Sequence, residues 1–312
     1  MESLLIVMRF VQYAAVMVMF GSSLFHYYAL RADETDRSLR NDVATFVQNV
    51  ALFATLAALL SALGWLACEA VLMSGDANGY RESDTLLTVL NDTQFGRIWR
   101  WRLALLMLLS FFFAWRVLGR RTPLTALVLV SGIVLVSSLA GVGHGAMGVG
   151  YDAWVHLGNQ AVHLLAAAVW VGGLLSLFFV TSRVLQSSLS AGALARALRR
   201  FSAVGFAAVL LIVASGLLNS WFLVRSIHAL LHTTYGQVLI AKVSFFLCMI
   251  TLAFFNRLKL MPRLARAAHA ENSLRLLLRS VAIEQIFAVL VVASVSVLGT
   301  LPPALDMPGM AM

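Results

Sequence analysis

Long apolar runs separated by short polar connections dominate this chain. Each run carries few charges and is close to or above the roughly 20 residues with which an α-helix crosses a membrane. We predict a helix in each of eight runs, with ends placed to within about 2–4 residues. The predicted spans are 3–29, 43–73, 101–118, 123–141, 154–181, 201–224, 237–259 and 278–301.

The composition agrees with membrane insertion. Of the 312 residues, 61% are hydrophobic and 12% are charged, whereas a soluble domain carries about 25% charged residues. The runs are too long and too uniformly apolar for barrel strands, and backbone groups in lipid must be satisfied internally. The sequence therefore predicts an all-α fold, a polytopic membrane protein built as a bundle of about eight transmembrane helices. No repeat or linker interrupts it, so residues 1–312 are treated as one domain.

The formal net charge is +9, and its distribution orients the chain. Most Lys and Arg residues fall in the first, third, fifth and seventh connections, which the positive-inside rule places in the cytoplasm. Both termini are then outside. Because the basic residues lie between apolar runs, the charge indicates a lipid bilayer as the partner and gives no support to nucleic acid. The N-terminus lacks a basic region before its apolar run, so we do not expect a cleavable signal peptide.

Potential metal ligands are concentrated near the fifth span. A glycine-rich loop at 141–153 contains His144 and Met147, and the following helix carries His156 and His163. Imidazole and thioether groups suit copper, and imidazole also suits zinc. Two histidines seven residues apart cannot chelate one ion alone, because metal–nitrogen distances are about 2 Å. Either another element such as His144 completes a site, or the two histidines mark successive stops along a path. Alternatively, both hydrogen-bond across helices without binding metal.

Two further polar residues lie at membrane depth. Asn159 shares one side of its helix with His156 and His163, and Glu284 lies in the last span. Glu284 could pair with an arginine or relay a proton. Polar groups at this depth are costly and indicate function by default, so we treat Asn159 and Glu284 as candidates for a polar pathway. Arg9 and Lys242, near the outer ends of their spans, can be explained by snorkelling.

Weaker candidates lie elsewhere on the outer side. His228 and His232 are four residues apart and could hold one metal on a helix, although an interfacial turn explains them better. Met307, Met310 and Met312 lie in the tail at 302–312, where exposed thioethers suit Cu(I). An unstructured tail explains the same pattern, and both interpretations can hold together.

Motifs for energy coupling are absent from the sequence. It contains neither a phosphate-binding G-x-x-x-x-G-K-[ST] run nor an Asp-Lys-Thr-Gly run. We therefore expect neither an ATP-driven pump nor an enzyme. Without ATP, a cation moves inward most readily, because each charge gains about 2.3 kcal/mol per 100 mV of inside-negative potential. Ligands on the outer side thus suggest uptake, or sensing and scavenging at the outer face.

An ordered set of short motifs extends over residues 93–302. It comprises Thr93-Gln94-Phe95-Gly96, Ile98-Trp99, Ala140-Gly141-Val142-Gly143-His144, His156, Asn159, His163, Ala168-Val169-Trp170-Val171-Gly172-Gly173, Ser215-Gly216, Asn219, Tyr235-Gly236-Gln237, Leu239, Lys242, Asn256-Arg257, Pro262-Arg263 and Glu284. No single piece is specific, but the ordered set resembles the CopD family of bacterial copper-resistance membrane proteins.

The resemblance implies a multi-pass protein of the bacterial inner membrane that handles copper, as Cu(I) or Cu(II). It also implies transfer of copper from the periplasm toward the cytoplasm and a periplasmic CopC-like copper-binding partner. His144, His156 and His163 become the expected ligands. The family often has a histidine early in the first span, where this chain has Gln12. The site is then expected to be smaller, or to use His26 or a methionine instead.

Two other functions stay open at this point. One is a b-type cytochrome, since transmembrane histidines can ligate haem axially. His163 has no obvious histidine partner at its depth, which weakens this hypothesis. The other is a non-transporting membrane protein that docks a periplasmic copper chaperone or an oxidase-assembly factor.

Overall fold

A computed structural model describes residues 1–30, 37–118, 124–142, 150–186, 191–224, 226–264 and 270–302. Five candidate ligands lie outside these ranges, namely His144, Met147, Met307, Met310 and Met312. The helices are α1 (Glu2–Ala29), α2 (Arg37–Ser74), α3 (Ser83–Asp92), α4 (Gln94–Val117), α5 (Leu124–Ser138), α6 (Tyr151–Gln186), α7 (Ala191–Leu223), α8 (Ile227–His232), α9 (Thr234–Phe255), α10 (Met261–Leu264) and α11 (Ala270–Leu298).

Eight helical segments in the described ranges are long and apolar enough to cross a membrane. A 3₁₀ turn, Leu139–Val142, extends α5, and a π-helical turn, Asn256–Leu260, joins α9 to α10 in one segment. The described parts of the chain contain no strand. The predicted all-α, polytopic bundle of about eight helices is therefore confirmed.

Several helices extend beyond their predicted ends. The clearest case is α4, which begins at Gln94 and not at residue 101. Thr93 caps it, because its Oγ1 accepts a hydrogen bond from the Gly96 backbone nitrogen at 2.8 Å. The prediction began too late because Arg97 and Arg100 interrupt the apolar pattern. Both side chains are exposed at the start of the helix. Their charges lower the local hydropathy, so the apolar pattern did not reveal the helix start that the Thr93 cap defines.

A close crossing of α1 and α6 lies at the centre of the bundle. A Cβ atom on Gly21 would collide with the backbone oxygen of Ala168, and one on Gly172 would lie 2.6 Å from Gly21 Cα. Ser22 Oγ donates a hydrogen bond to the Gly172 oxygen at 3.0 Å across the same contact. Small residues let membrane helices approach this closely, and van der Waals packing then stabilises the pair.

A buried arginine ties α4 to its neighbours. Arg102 Nη1 donates hydrogen bonds to the Leu135 oxygen and to Ser138 Oγ, both at 2.5 Å. On α1, the Gln12 amide lies 2.6 Å from Ser61 Oγ. In the amide orientation that satisfies both of its ends, Gln12 accepts a hydrogen bond from Arg102 Nη2 at 2.6 Å. Gln12 therefore joins α1 to α2 and α4.

The glycine crossing gives a direct stability prediction. We expect Gly172→Ala to destabilise the protein by about 1–3 kcal/mol, because the added methyl group meets backbone atoms that cannot move away. Gly158→Ala on the same helix is the matched control, since a Cβ there meets nothing within 4 Å. Alanine also favours helix over glycine by about 1 kcal/mol. Thermal unfolding in detergent should show a lower midpoint for Gly172→Ala only, and equal midpoints for both variants would contradict the crossing.

Candidate functional site

A cavity of about 740 Å³ lies among the helix ends at one side of the bundle. Residues from the first halves of α1, α6 and α9 and from the last turns of α7 and α11 line it. Helices that cross in alternating directions must place these ends on the same side. The predicted orientation puts that side in the periplasm. We call this space the outer cavity, and both His156 and His163 line it.

His163 is held by a hydrogen bond to the neighbouring helix. Its Nδ1 lies 2.8 Å from Ser215 Oγ on α7. The serine hydroxyl has one proton, which it donates to the Leu211 oxygen at 2.5 Å. The network therefore assigns the Nδ1 proton to His163 as donor, and Nε2 keeps its lone pair. Fixing one ring nitrogen in this way orients the other as a metal ligand.

His156 lies nearer the mouth of the outer cavity. Its ring stacks on Phe222 of α7, with centroids 4.8 Å apart and an interplanar angle of 21°. Seven residues of helix separate it from His163, which corresponds to about 10 Å along the axis. The two histidines share one cavity but cannot chelate a single ion unaided.

Asn159 acts between helices. Its Nδ2 donates hydrogen bonds to the Ser215 oxygen at 2.9 Å and to Asn219 Oδ1 at 2.8 Å. Asn219 Nδ2 in turn donates to Gln160 Oε1 at 2.7 Å. Asn219 and Gln160 line the outer cavity, whereas Asn159 is not among its lining residues. Asn159 therefore fixes the register of α6 against α7, and its two neighbours provide the polar wall.

Two more cavities share lining residues in succession with the outer one, and exposed side chains such as Leu217, Leu247 and Phe254 show that both also open on the surface of the bundle. A middle cavity of about 1000 Å³ shares His163 and Lys242 with the outer cavity, and the buried thioether of Met249 lines it. An inner cavity of about 660 Å³ shares Trp170 with the middle one. Met261 and Glu284 line this inner space.

Glu284 is 2% exposed and accepts a hydrogen bond from Asn256 Nδ2 at 2.5 Å. Its partner in the described structure is thus an asparagine rather than the arginine considered from the sequence. The other end of that amide, Asn256 Oδ1, is buried without a hydrogen-bond partner in the described residues. The Glu284 carboxyl group and the Asn256 carbonyl oxygen therefore lie together at the inner cavity, where a cation would find oxygen ligands.

The remaining candidates lie apart from these cavities. His228 and His232 are exposed on α8, and their ring centroids are 4.4 Å apart. They form an adjacent pair outside the walls of the three cavities. His26 lies in the last turn of α1, roughly 25 Å along the helix from Arg9, which lines the outer cavity. His26 therefore cannot replace a ligand at the outer cavity.

Across the described ranges, no group of three His, Cys, Asp or Glu side chains is arranged to hold a metal ion. Two imidazoles in one cavity need at least one further ligand for a stable complex with most metals. His144 and Met147 belong to the segment that connects Val142 to Gly150, directly before the helix that carries His156. The chain thus has suitable ligands in the connection that leads directly into this helix.

Sequence reasoning missed Gln160 and Met249. Gln160 follows Asn159 directly, and nothing in the sequence distinguishes the roles of the two amides. Met249 lies within a uniformly apolar span, where a methionine is indistinguishable from a core residue. Asn219 was present in the motif set but without an assigned role.

Comparison with known proteins identifies the family. Residues 1–154 match the model of the copper resistance protein D-like N-terminal domain, and residues 195–298 match that of copper resistance protein D. Copper resistance protein D of Pseudomonas syringae pv. tomato is 30% identical over 312 residues, covering 98% of each chain. The inner membrane protein YebZ of Escherichia coli is 31% identical over 261 residues, covering 83% of this chain and 85% of that one.

A third relative is similar over a shorter region. The copper transport protein CutJ of Bacillus subtilis is 40% identical over 91 residues, which are 29% of this chain and 17% of that one. No solved structure matches the chain. The long alignments and both family models agree with the eight-helix membrane fold. The chain therefore belongs to the copper resistance protein D family of multi-pass inner-membrane proteins.

Proposed function

We propose that this protein binds copper in the outer cavity and passes it through the bundle toward the cytoplasm. The observation that carries the proposal is the pair His156 and His163 in one cavity, with His163 Nε2 left unprotonated by the bond to Ser215. We propose copper as the metal because relatives of this chain are named copper resistance protein and copper transport protein. The role is binding and transfer rather than catalysis.

The three cavities follow one another along the bundle, which supports a path for copper transfer rather than a single storage site. His156 and His163 succeed each other along the outer cavity, Met249 lines the middle one, and Met261 lines the inner one with Glu284. Imidazole and thioether ligands favour Cu(I), which accepts low coordination numbers. An inside-negative potential favours inward movement by about 2.3 kcal/mol for one charge at 100 mV. We therefore propose Cu(I) as the transferred ion.

A CopC-like periplasmic protein is proposed as the donor of this copper. The support is the family resemblance together with the position of the outer cavity, whose mouth faces the predicted periplasmic side. The positions of the described histidines do not support the alternative that the protein binds haem. His156 and His163 lie on one helix, so they cannot bind opposite faces of one haem, and His26, His228 and His232 lie outside their cavity.

Removal of either cavity histidine should weaken copper binding. We expect His156→Ala and His163→Ala each to lower the Cu(I) affinity at least about tenfold, since each removes an imidazole ligand. His228→Ala is the control, because this histidine is exposed outside the cavity. Competition titration of purified protein against a Cu(I) chelator measures the affinities. Equal affinity in wild type and His163→Ala would overturn the site.

The serine behind His163 provides a more specific test. Ser215→Ala should reduce copper affinity by about 10–100-fold, because the imidazole loses the partner that fixes its tautomer. Ser110→Ala is matched, since Ser110 donates the same kind of bond to Leu106 within α4 at 2.8 Å. The same chelator titration applies. If Ser110→Ala weakened binding as much as Ser215→Ala, the effect would be one of general stability and not of ligand orientation.

The path itself can be tested by flux. We expect Met249→Leu to slow Cu(I) entry into proteoliposomes by about tenfold while binding in the outer cavity is retained, because leucine keeps the volume and removes the sulfur ligand. Met107→Leu is the control, since Met107 is 56% exposed on the outside of the bundle. Copper bound by the wild type without any flux under an inside-negative potential would instead support a non-transporting partner of a copper chaperone.

A further inference from the structure

The outer cavity has an unusual charge. Two cationic side chains, Arg9 and Lys242, line it together with the histidines, and none of the described residues that line it is Asp or Glu. Polar residues inside a membrane protein normally occur in compensating pairs. A cavity proposed to receive a copper cation would be expected to carry carboxylates, so this arrangement needs a separate explanation.

Arg9 is turned into the bundle. It is 5% exposed, and its guanidinium lies across Gly299, where a Cβ atom would collide with Nη2. The same group lies 4.6 Å above the Trp65 ring. Arg9 therefore lies inside the bundle, against α2 and the end of α11, and not on a lipid-facing surface. One face of the Arg9 guanidinium packs on the Trp65 ring, and its polar edge faces the outer cavity.

The hydrogen-bonding capacity of Arg9 is unused within the described structure. Its Nε is buried without a partner, and its guanidinium makes no hydrogen bond or ion pair with a described residue. Trp65 donates its Nε1 to Glu69 at 3.0 Å, so Glu69 is held by the tryptophan and does not line the cavity. An arginine buried to this degree with free donors is complementary to an anion.

Lys242 supplies the second charge. It lines both the outer and the middle cavity beside His163, and it makes no hydrogen bond or ion pair with any described residue. Tyr13 also lines this wall and makes no hydrogen bond to a described residue. Arg9, Lys242 and Tyr13 together offer several donors and no anionic acceptor.

We propose that the outer cavity binds a small monovalent anion, a halide or a carboxylate, between Arg9 and Lys242. The anion stabilises a buried arginine and a half-buried lysine that form no ion pair with a described acidic residue. This inference rests on the proposed function. A copper ion beside His163 would add a third positive charge to the cavity, so the bound anion would also offset the charge of the copper. Halides and carboxylates are also copper ligands, so the same anion can complete the coordination that His156 and His163 leave open.

The anion site is tested first without copper. Full-length, copper-free protein in detergent is equilibrated with radioactive chloride in a gluconate buffer, and bound chloride is measured by scintillation proximity. We expect saturable binding to the wild type and at least about tenfold weaker binding to Arg9→Gln and Lys242→Gln. Acetate should compete if carboxylates share the site. His163→Ala should retain chloride, which separates this site from the copper ligands.

Matched controls exist for both cations. Arg97→Gln and Lys259→Gln remove exposed charges of the same types away from the cavity and should leave chloride binding unchanged. Arg9→Lys keeps the charge and tests whether Arg9→Gln loses binding or only folding, which the thermal midpoint of each variant also reports. Absence of saturable chloride binding to the wild type, or undiminished binding to Arg9→Gln and Lys242→Gln, overturns the proposal.

A second arm connects the anion to copper. At a free Cu(I) concentration fixed by a chelator, exchange of gluconate for chloride should raise the copper affinity of the wild type about tenfold. The gain should vanish in Lys242→Gln and persist in Lys259→Gln. If the wild type binds chloride but no copper, the anion site stands and the proposed function fails. If copper binding is indifferent to chloride in every variant, the coupling between anion and copper is wrong.

Discussion

The backbones of α1 and α6 meet where Gly21 lies against Ala168 and Gly172, with no room for a side chain between them. This contact fixes both the separation and the register of the two helices. Arg9 stands on α1 above the crossing, and His156 and His163 stand on α6, so the crossing brings a cation and two imidazoles to one cavity. If the two helices could not approach this closely, the walls of the outer cavity would move apart even though no candidate ligand had been changed.

Buried polar groups are treated in two different ways in this bundle. Both terminal nitrogens of Arg102 have acceptors, namely the Leu135 oxygen, Ser138 Oγ and the Gln12 amide, so Arg102 ties α1, α4 and α5 together. Arg9 and Lys242 have no such acceptors in the described structure. A cation without an ion-pair partner inside a membrane protein is costly, and this cost is the reason to propose an anion beside Arg9 and Lys242. This difference between Arg102 and the two cations Arg9 and Lys242 distinguishes the outer cavity from the polar contacts elsewhere in the bundle.

Hydropathy predicted the eight spans because the length and apolarity of a helix are local properties of the chain. The placement of His156 and His163 on one helix was equally local. The contact between His163 and Ser215 joins residues from two helices, and periodicity does not reveal which helices pack together or in what register. Arg9 illustrates the same limit, since nothing in its own span predicted the tertiary contacts with Trp65 and Gly299.

The Gln12 position shows how the fold decides which departures from a family pattern matter. Residues 9 and 13 of α1 line the outer cavity, but Gln12 lies on the side that faces α2 and α4. A histidine at this place on the helix would meet Ser61 and Arg102, not His156 and His163. Gln12 is therefore not among the described residues that line the outer cavity, and the departure from the family pattern at this position falls outside the proposed site. The residue type at position 12 sets the acceptor for Arg102, so its consequence in the described structure is for the packing of α1 against α2 and α4.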